Sequence, residues 1–123
     1  MKLELKHLAP YMPYGLKYVK YSDNNSPIRH DIMQGVSTNG IYACGDITPL
    51  SFKNCKPILR PFSDLTKEEL LRFTVNFRMY YQRKDFAYEM MLVSDFNIAN
   101  ELHLDYRRLI EKGLAIDINT LEN

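Results

Sequence analysis

The chain has 123 residues, 46% apolar and 25% charged, with a formal net charge of +1. That length suits one domain and buries roughly two thirds of the unfolded surface, so neither a metal nor a disulfide is needed for stability. The charge excludes a strongly basic nucleic-acid coat and an acidic solvating tail. No run approaches the roughly 18 apolar residues of a membrane span, and Met1-Lys2-Leu3-Glu4-Leu5-Lys6-His7 lacks the apolar core of a signal peptide, so a cytosolic protein is expected.

The small net charge conceals a division: residues 1–62 carry +4 and residues 63–123 carry −3. After Pro61 there is no proline, and Gly113 is the last glycine. Proline breaks helices, so its absence permits them in the second half. The expectation is a single α+β domain over residues 1–123, with a small antiparallel sheet from the first half packed against two or three helices from the second.

In chain order, Pro10 to Tyr14 is expected to be extended, because a residue before proline is pushed away from helical backbone. Gly15 to Tyr21 alternates as a strand, without showing which face is buried. Residues 22–27, Ser-Asp-Asn-Asn-Ser-Pro, read as a turn. Asp31 to Val36 is a second strand, and Thr38-Asn39-Gly40 a tight turn with Asn-Gly at its tip, from which Gly40 to Cys44 returns antiparallel. Pro49 to Lys56 reads as irregular. Pro57 to Pro61 is too short and too proline-bounded for a central strand.

Thr66 with Glu69 forms a capping box, with Leu65 and Leu70 as its hydrophobic staple. Leu70, Phe73, Phe77 and Tyr80 then follow at helical spacing, Leu71 and Val75 widening the stripe, and this helix is expected to reach about Arg83. Arg78, Arg83 and Lys84 suit its negative end. A second helix begins near Asp85, with Leu92, Phe96, Ala99 and Leu102 on its buried face. Around His103 the pattern continues or breaks. Asp105 is placed to cap a short last helix through Leu109 and Ile110, stopped by Gly113 and Leu114 in a Schellman arrangement. Leu114 to Ile118 reads as a closing strand or an extended tail.

Chemical motifs are sparse. Cys44 and Cys55 are too far apart for a zinc half-site and are expected to be free thiols. The histidines His7, His30 and His103 match no zinc spacing, and no phosphate loop, Rossmann glycine pattern or nucleophile elbow occurs, so no metal and no cofactor is expected. His103 and Asp105 are a weak hydrolase candidate: on a helix they point about 200° apart, whereas an extended segment brings them to one side. The remaining signal is basic and aromatic. Tyr11, Tyr14, Tyr18 and Tyr21 interleave with Lys17 and Lys20, a combination that suits a protein partner or a single-stranded nucleic acid. Arg60, fenced by Pro57 and Pro61, is held for an internal carboxylate or for a partner, the internal salt bridge being favoured. The candidate binding set is therefore Tyr11, Tyr14, Lys17, Tyr18, Lys20, Tyr21 and Arg60.

Three strings carry a resemblance: residues 7–17 (His-Leu-Ala-Pro-Tyr-Met-Pro-Tyr-Gly-Leu-Lys), 56–65 (Lys-Pro-Ile-Leu-Arg-Pro-Phe-Ser-Asp-Leu) and 109–118 (Leu-Ile-Glu-Lys-Gly-Leu-Ala-Ile-Asp-Ile). In this order they resemble a family of small uncharacterised proteins encoded by phages and prophages of gut Bacteroidetes. The family pattern has leucine at Met12 and Phe62 and a less basic stretch at Tyr106-Arg107-Arg108. The resemblance implies a phage or prophage setting in a bacterial host and carries over no catalytic residue. The expected function is a non-enzymatic interaction protein binding a host or phage protein through the Tyr- and Lys-bearing half. The alternatives are a single-stranded nucleic-acid binder on the same face and a small hydrolase.

Overall fold

The computed structural model describes residues 2–43, 48–83 and 91–121. A short helix α1 (Leu5–Leu8) leads into a 3-10 helix (Ala9–Tyr14), where extended backbone is expected from the prolines. Pro10 stands in the first turn of that helix, where a missing N–H costs nothing. Tyr11 is fully buried there and donates to the Leu104 carbonyl at 2.6 Å. That burial outweighs the steric bias of Met12 before Pro13.

Strand β1 (Lys17–Tyr21) turns through residues 22–26 into β2 (Pro27–Ile32). The expected strand from Asp31 to Val36 is instead divided. The Met33 N–H still pairs with Leu16, but the next N–H, that of Gln34, pairs with Tyr42, so the chain passes from one sheet to another. There β3 (Gly35–Ser37) and β4 (Gly40–Tyr42) form the expected hairpin. Its two central residues are Thr38 and Asn39, and Gly40 is already the first residue of the return strand.

Strand β5 (Cys55–Leu59) corrects the proline argument. It is central in a four-stranded mixed sheet of order β2-β1-β5-β6, with β6 (Ile116–Asp117) pairing parallel to it. Met33 N–H to Leu16 sets the β1–β2 ladder, in which Tyr18 spends its hydrogen bonds on Asp31. The Tyr18–Pro57 pair on the other side therefore needs no N–H from proline, and the Pro57 nitrogen faces the β6 side, where pairing begins only at Ile58. The sheet is thus not wholly antiparallel, and its last strand is the closing segment expected from Leu114 to Ile118.

Thr66 caps α2 (Lys67–Leu70) with the expected reciprocal bonds to Glu69, but the single helix to Arg83 does not form. The chain turns at Leu71–Phe73 and restarts as α3 (Val75–Arg83). The expected start near Asp85 and Lys84 lie outside the described residues; the next helix there is α4 (Val93–Glu101). The core lies on the sheet face bearing Tyr18, Cys55 and Leu59, against Leu8, Tyr11, Phe73, Phe77, Ala99, Leu104 and Leu109. Phe73 stacks on Phe77 at 4.2 Å, and Phe96 meets Tyr106 edge-on at 5.2 Å. Among the described residues, no helix is long and apolar enough to cross a membrane.

Candidate functional site

The seven candidate binding residues separate into buried and exposed groups. Tyr11 and Tyr18 are both 0% exposed, so they belong to the core and not to a binding face. Alternation along β1 decides this: Leu16 and Tyr18 point to the core, and Lys17, Val19 and Tyr21 to the other side. Burial raises the Tyr11 hydroxyl well above its ordinary pKa, consistent with a neutral phenol donating to Leu104. Tyr14 and Lys17 are exposed, and Lys20 and Tyr21 half-buried. The Lys56 ammonium lies over the Tyr21 ring, 5.7 Å from its centroid.

Arg60 makes the internal bridge. Its guanidinium meets Glu69 through two nitrogens at 2.9 and 2.8 Å and donates to the Asp64 carbonyl at 3.1 Å. Those charge-assisted bonds hold the Glu69 carboxyl down at about 2. The Arg60 main chain is equally engaged, its N–H donating to the His103 carbonyl and its carbonyl accepting from the Asp105 N–H across a parallel bridge. This arginine joins the end of β5 to two later segments and leaves no fork for a partner.

His103 and Asp105 are used separately. The His103 Nε2–H donates to the Tyr14 carbonyl at 2.7 Å, whereas the Asp105 carboxylate accepts from the Leu109 and Ile110 N–H groups at 2.8 and 2.9 Å. Cys55 is a buried free thiol, pushed up to about 11 by burial, and Cys44 lies outside the described residues. Among the described residues, no cluster of histidine, cysteine and carboxylate side chains is placed to hold a metal.

A different surface emerges where α3 and α4 begin. Asp95, fully buried, accepts from the Thr74 N–H at 2.9 Å and from the Leu92 N–H at 3.0 Å, and the Thr74 hydroxyl donates to it at 2.8 Å. One carboxylate therefore ties the first turns of both helices together. Phe77 points to the core, so Val75 and Met79, two positions away on either side, point about 200° around the helix and outward. Leu71, Val75, Met79, Leu92 and Val93 are 67, 63, 46, 50 and 78% exposed. The Arg72–Glu101 ion pair joins the residue after Leu71 to the far end of α4.

Helical spacing alone places Leu71, Val75 and Leu92 in the core. A signal was present in the excessive width of the stripe, since Leu71 and Val75 lie outside the arc that Phe73 and Phe77 fill. Comparison with known proteins returns no match among family models, curated proteins or solved structures.

Proposed function

We propose that this chain is an interaction protein whose partner, a host or phage protein in the bacterial cytoplasm, docks on the apolar corner where α3 and α4 begin. The observation that carries the reading is that large apolar side chains, each about half exposed or more, stand on and beside the two helix starts that the buried Asp95 carboxylate ties together. Large apolar groups left in water are what a protein partner covers. Covering the exposed part of each gains about 1–2 kcal/mol, so the five together offset the lower part of the roughly 4–15 kcal/mol that association costs. The corner replaces the Tyr- and Lys-bearing half as the docking face, because Tyr11, Tyr18 and Arg60 are committed internally.

The resemblance to phage and prophage proteins directs the experiment to infected or lysogenic cells. Tagged chain is used for affinity capture beside V75E and V93E, with purified samples sedimented to read self-association. One dominant partner held by the original chain and lost with both variants is the expected result. A partner held equally by V75E and V93E, or none at all, would remove the corner from consideration.

A further inference from the structure

Residues 2–6 run beside the β3–β4 turn and the segment Ser51-Phe52-Lys53, and an open cleft of about 590 Å³ lies between them. Its walls include Lys2, Lys6, Phe52 and Lys53. A second hollow of about 250 Å³ shares Lys2, Leu3, Phe52 and Lys53 with the first and adds Lys56, so the two run on from one another. The lining sets four lysines against one carboxylate, Glu4. Glu4 reaches Lys6 at 3.8 Å with both side chains more than half exposed, a pairing that solvent largely screens. Among the described residues, no carboxylate pairs with Lys2, Lys53 or Lys56. The Ser51 side chain accepts from the Lys53 N–H at 3.4 Å and fixes the turn on which Phe52 sits half-buried.

We infer that this cleft binds single-stranded nucleic acid, the lysines lying along its phosphates and Phe52 offering a face to a base. Cations spread along an open channel follow a repeating anion, and an aromatic ring between them stacks on any base. A lone phosphate would use one end of such a channel. The site stands apart from the apolar corner: it is built from residues 2–6, the hairpin and the lead into β5, whereas the corner belongs to α3 and α4.

Fluorescence anisotropy of a labelled single-stranded oligonucleotide, about 12 nucleotides long, tests the inference with purified full chain. Contacts to three or four phosphates predict that affinity falls roughly 20- to 50-fold between 50 and 200 mM salt. Reversing two charges, Lys53→Glu with Lys56→Glu, is expected to cost more than about tenfold and to flatten the salt dependence. Phe52→Leu keeps an apolar group against the core and is expected to cost about fivefold through lost stacking. Lys17→Glu, outside the residues that line the cleft, leaves affinity unchanged. Thermal melts establish that the variants fold; should the double reversal unfold, K53Q at an exposed side chain is read in its place.

Absence of binding at 50 mM salt overturns the inference. So does equal displacement by a mononucleotide, which would make the cleft a nucleotide pocket, or preferential binding of a poly-glutamate peptide. A loss with K17E as large as that with the double reversal would place the strand along β1 and overturn the cleft.

Discussion

Asp105 is a carboxylate spent on structure. Burial raises its pKa, against the two N–H groups that it accepts from Leu109 and Ile110. Asp105→Ala orphans both donors and is expected to cost about 2–4 kcal/mol, read as a lower thermal midpoint; Asp105→Asn, which keeps one acceptor oxygen, costs less. Because its folded pKa is raised, protonation does not favour the unfolded chain, and Asp105 does not drive acid unfolding. His7 acts in the opposite sense. Its Nδ1 accepts the Glu4 N–H, and burial followed by the nearby Arg107 charge lowers its pKa. The unfolded chain then binds the proton more readily, so stability falls as the pH drops below about 6.5. Glu69, depressed from 4.5 to about 2, adds a second loss as the pH falls through that window. Denaturant titrations at several pH values should show both, the upper one absent in His7→Gln and the lower one in Glu69→Gln.

Glycine makes a further contrast at this scale. A Cβ on Gly40, where φ is 148°, would stand 2.0 Å from the Leu50 carbonyl oxygen, inside the backbone bridge between Ile41 and Leu50. Gly113 has φ 75° with nothing within 4 Å. Gly113→Ala is expected to cost about 1–2 kcal/mol through left-handed strain alone. Gly40→Ala should exceed about 3 kcal/mol, because backbone must move. Equal losses in urea unfolding would refute the distinction.

At the scale of elements, the ends of helices are where the structure departs from the periodic pattern. The apolar stripe from Leu70 to Tyr80 runs unbroken in sequence, yet the chain restarts at Thr74. There the Thr74 hydroxyl accepts the Phe77 N–H at 3.3 Å while donating to Asp95. Thr74→Val removes both bonds at constant shape and is expected to cost about 1–3 kcal/mol in thermal unfolding. A variant as stable as the original chain would show the break to be set elsewhere. Helix α4 ends in a Schellman motif without glycine: the His103 and Leu104 N–H groups return to Asn100 and Ala99, and His103 takes φ 59°. That left-handed backbone costs roughly 1–2 kcal/mol, offset by the His103 bond to Tyr14. The same pair of bonds recurs at Gly113 and Leu114, where glycine announces it, although the expected short helix through Leu109 and Ile110 is a series of turns. The second motif was therefore legible and the first was not.

At the scale of the whole molecule, the opposed charges of the two halves meet in part through Arg60 and Glu69, each about four-fifths buried. Glu69→Gln is expected to cost about 1–2 kcal/mol, since one member of a mostly buried pair is left behind. By contrast V75E and V93E place charge in water and should stay within about 0.5 kcal/mol of the original chain while altering partner capture. Lys2, Lys53 and Lys56, with Lys6 beside Glu4, bring positive charge of the first half to the cleft.

The sequence by itself determined the α+β class, the β1 strand and the turn after it, the Thr66–Glu69 box and the paired bonds at Gly113, and it favoured an internal bridge for Arg60 without naming Glu69. The first of these are decided within a few residues by hydrogen-bonding groups or backbone freedom that the residue types declare. Only the tertiary structure decided that Pro57 sits in a central strand, that Tyr11 and Tyr18 are core while Val75 and Leu92 are surface, and that Lys2 and Lys53 share a cleft. Those outcomes depend on which groups distant segments bring: the late start of β6 beside Pro57, Leu104 over Tyr11, Asp95 between two helix starts. Periodicity records that a residue is apolar, and only packing settles which apolar residues find a neighbour.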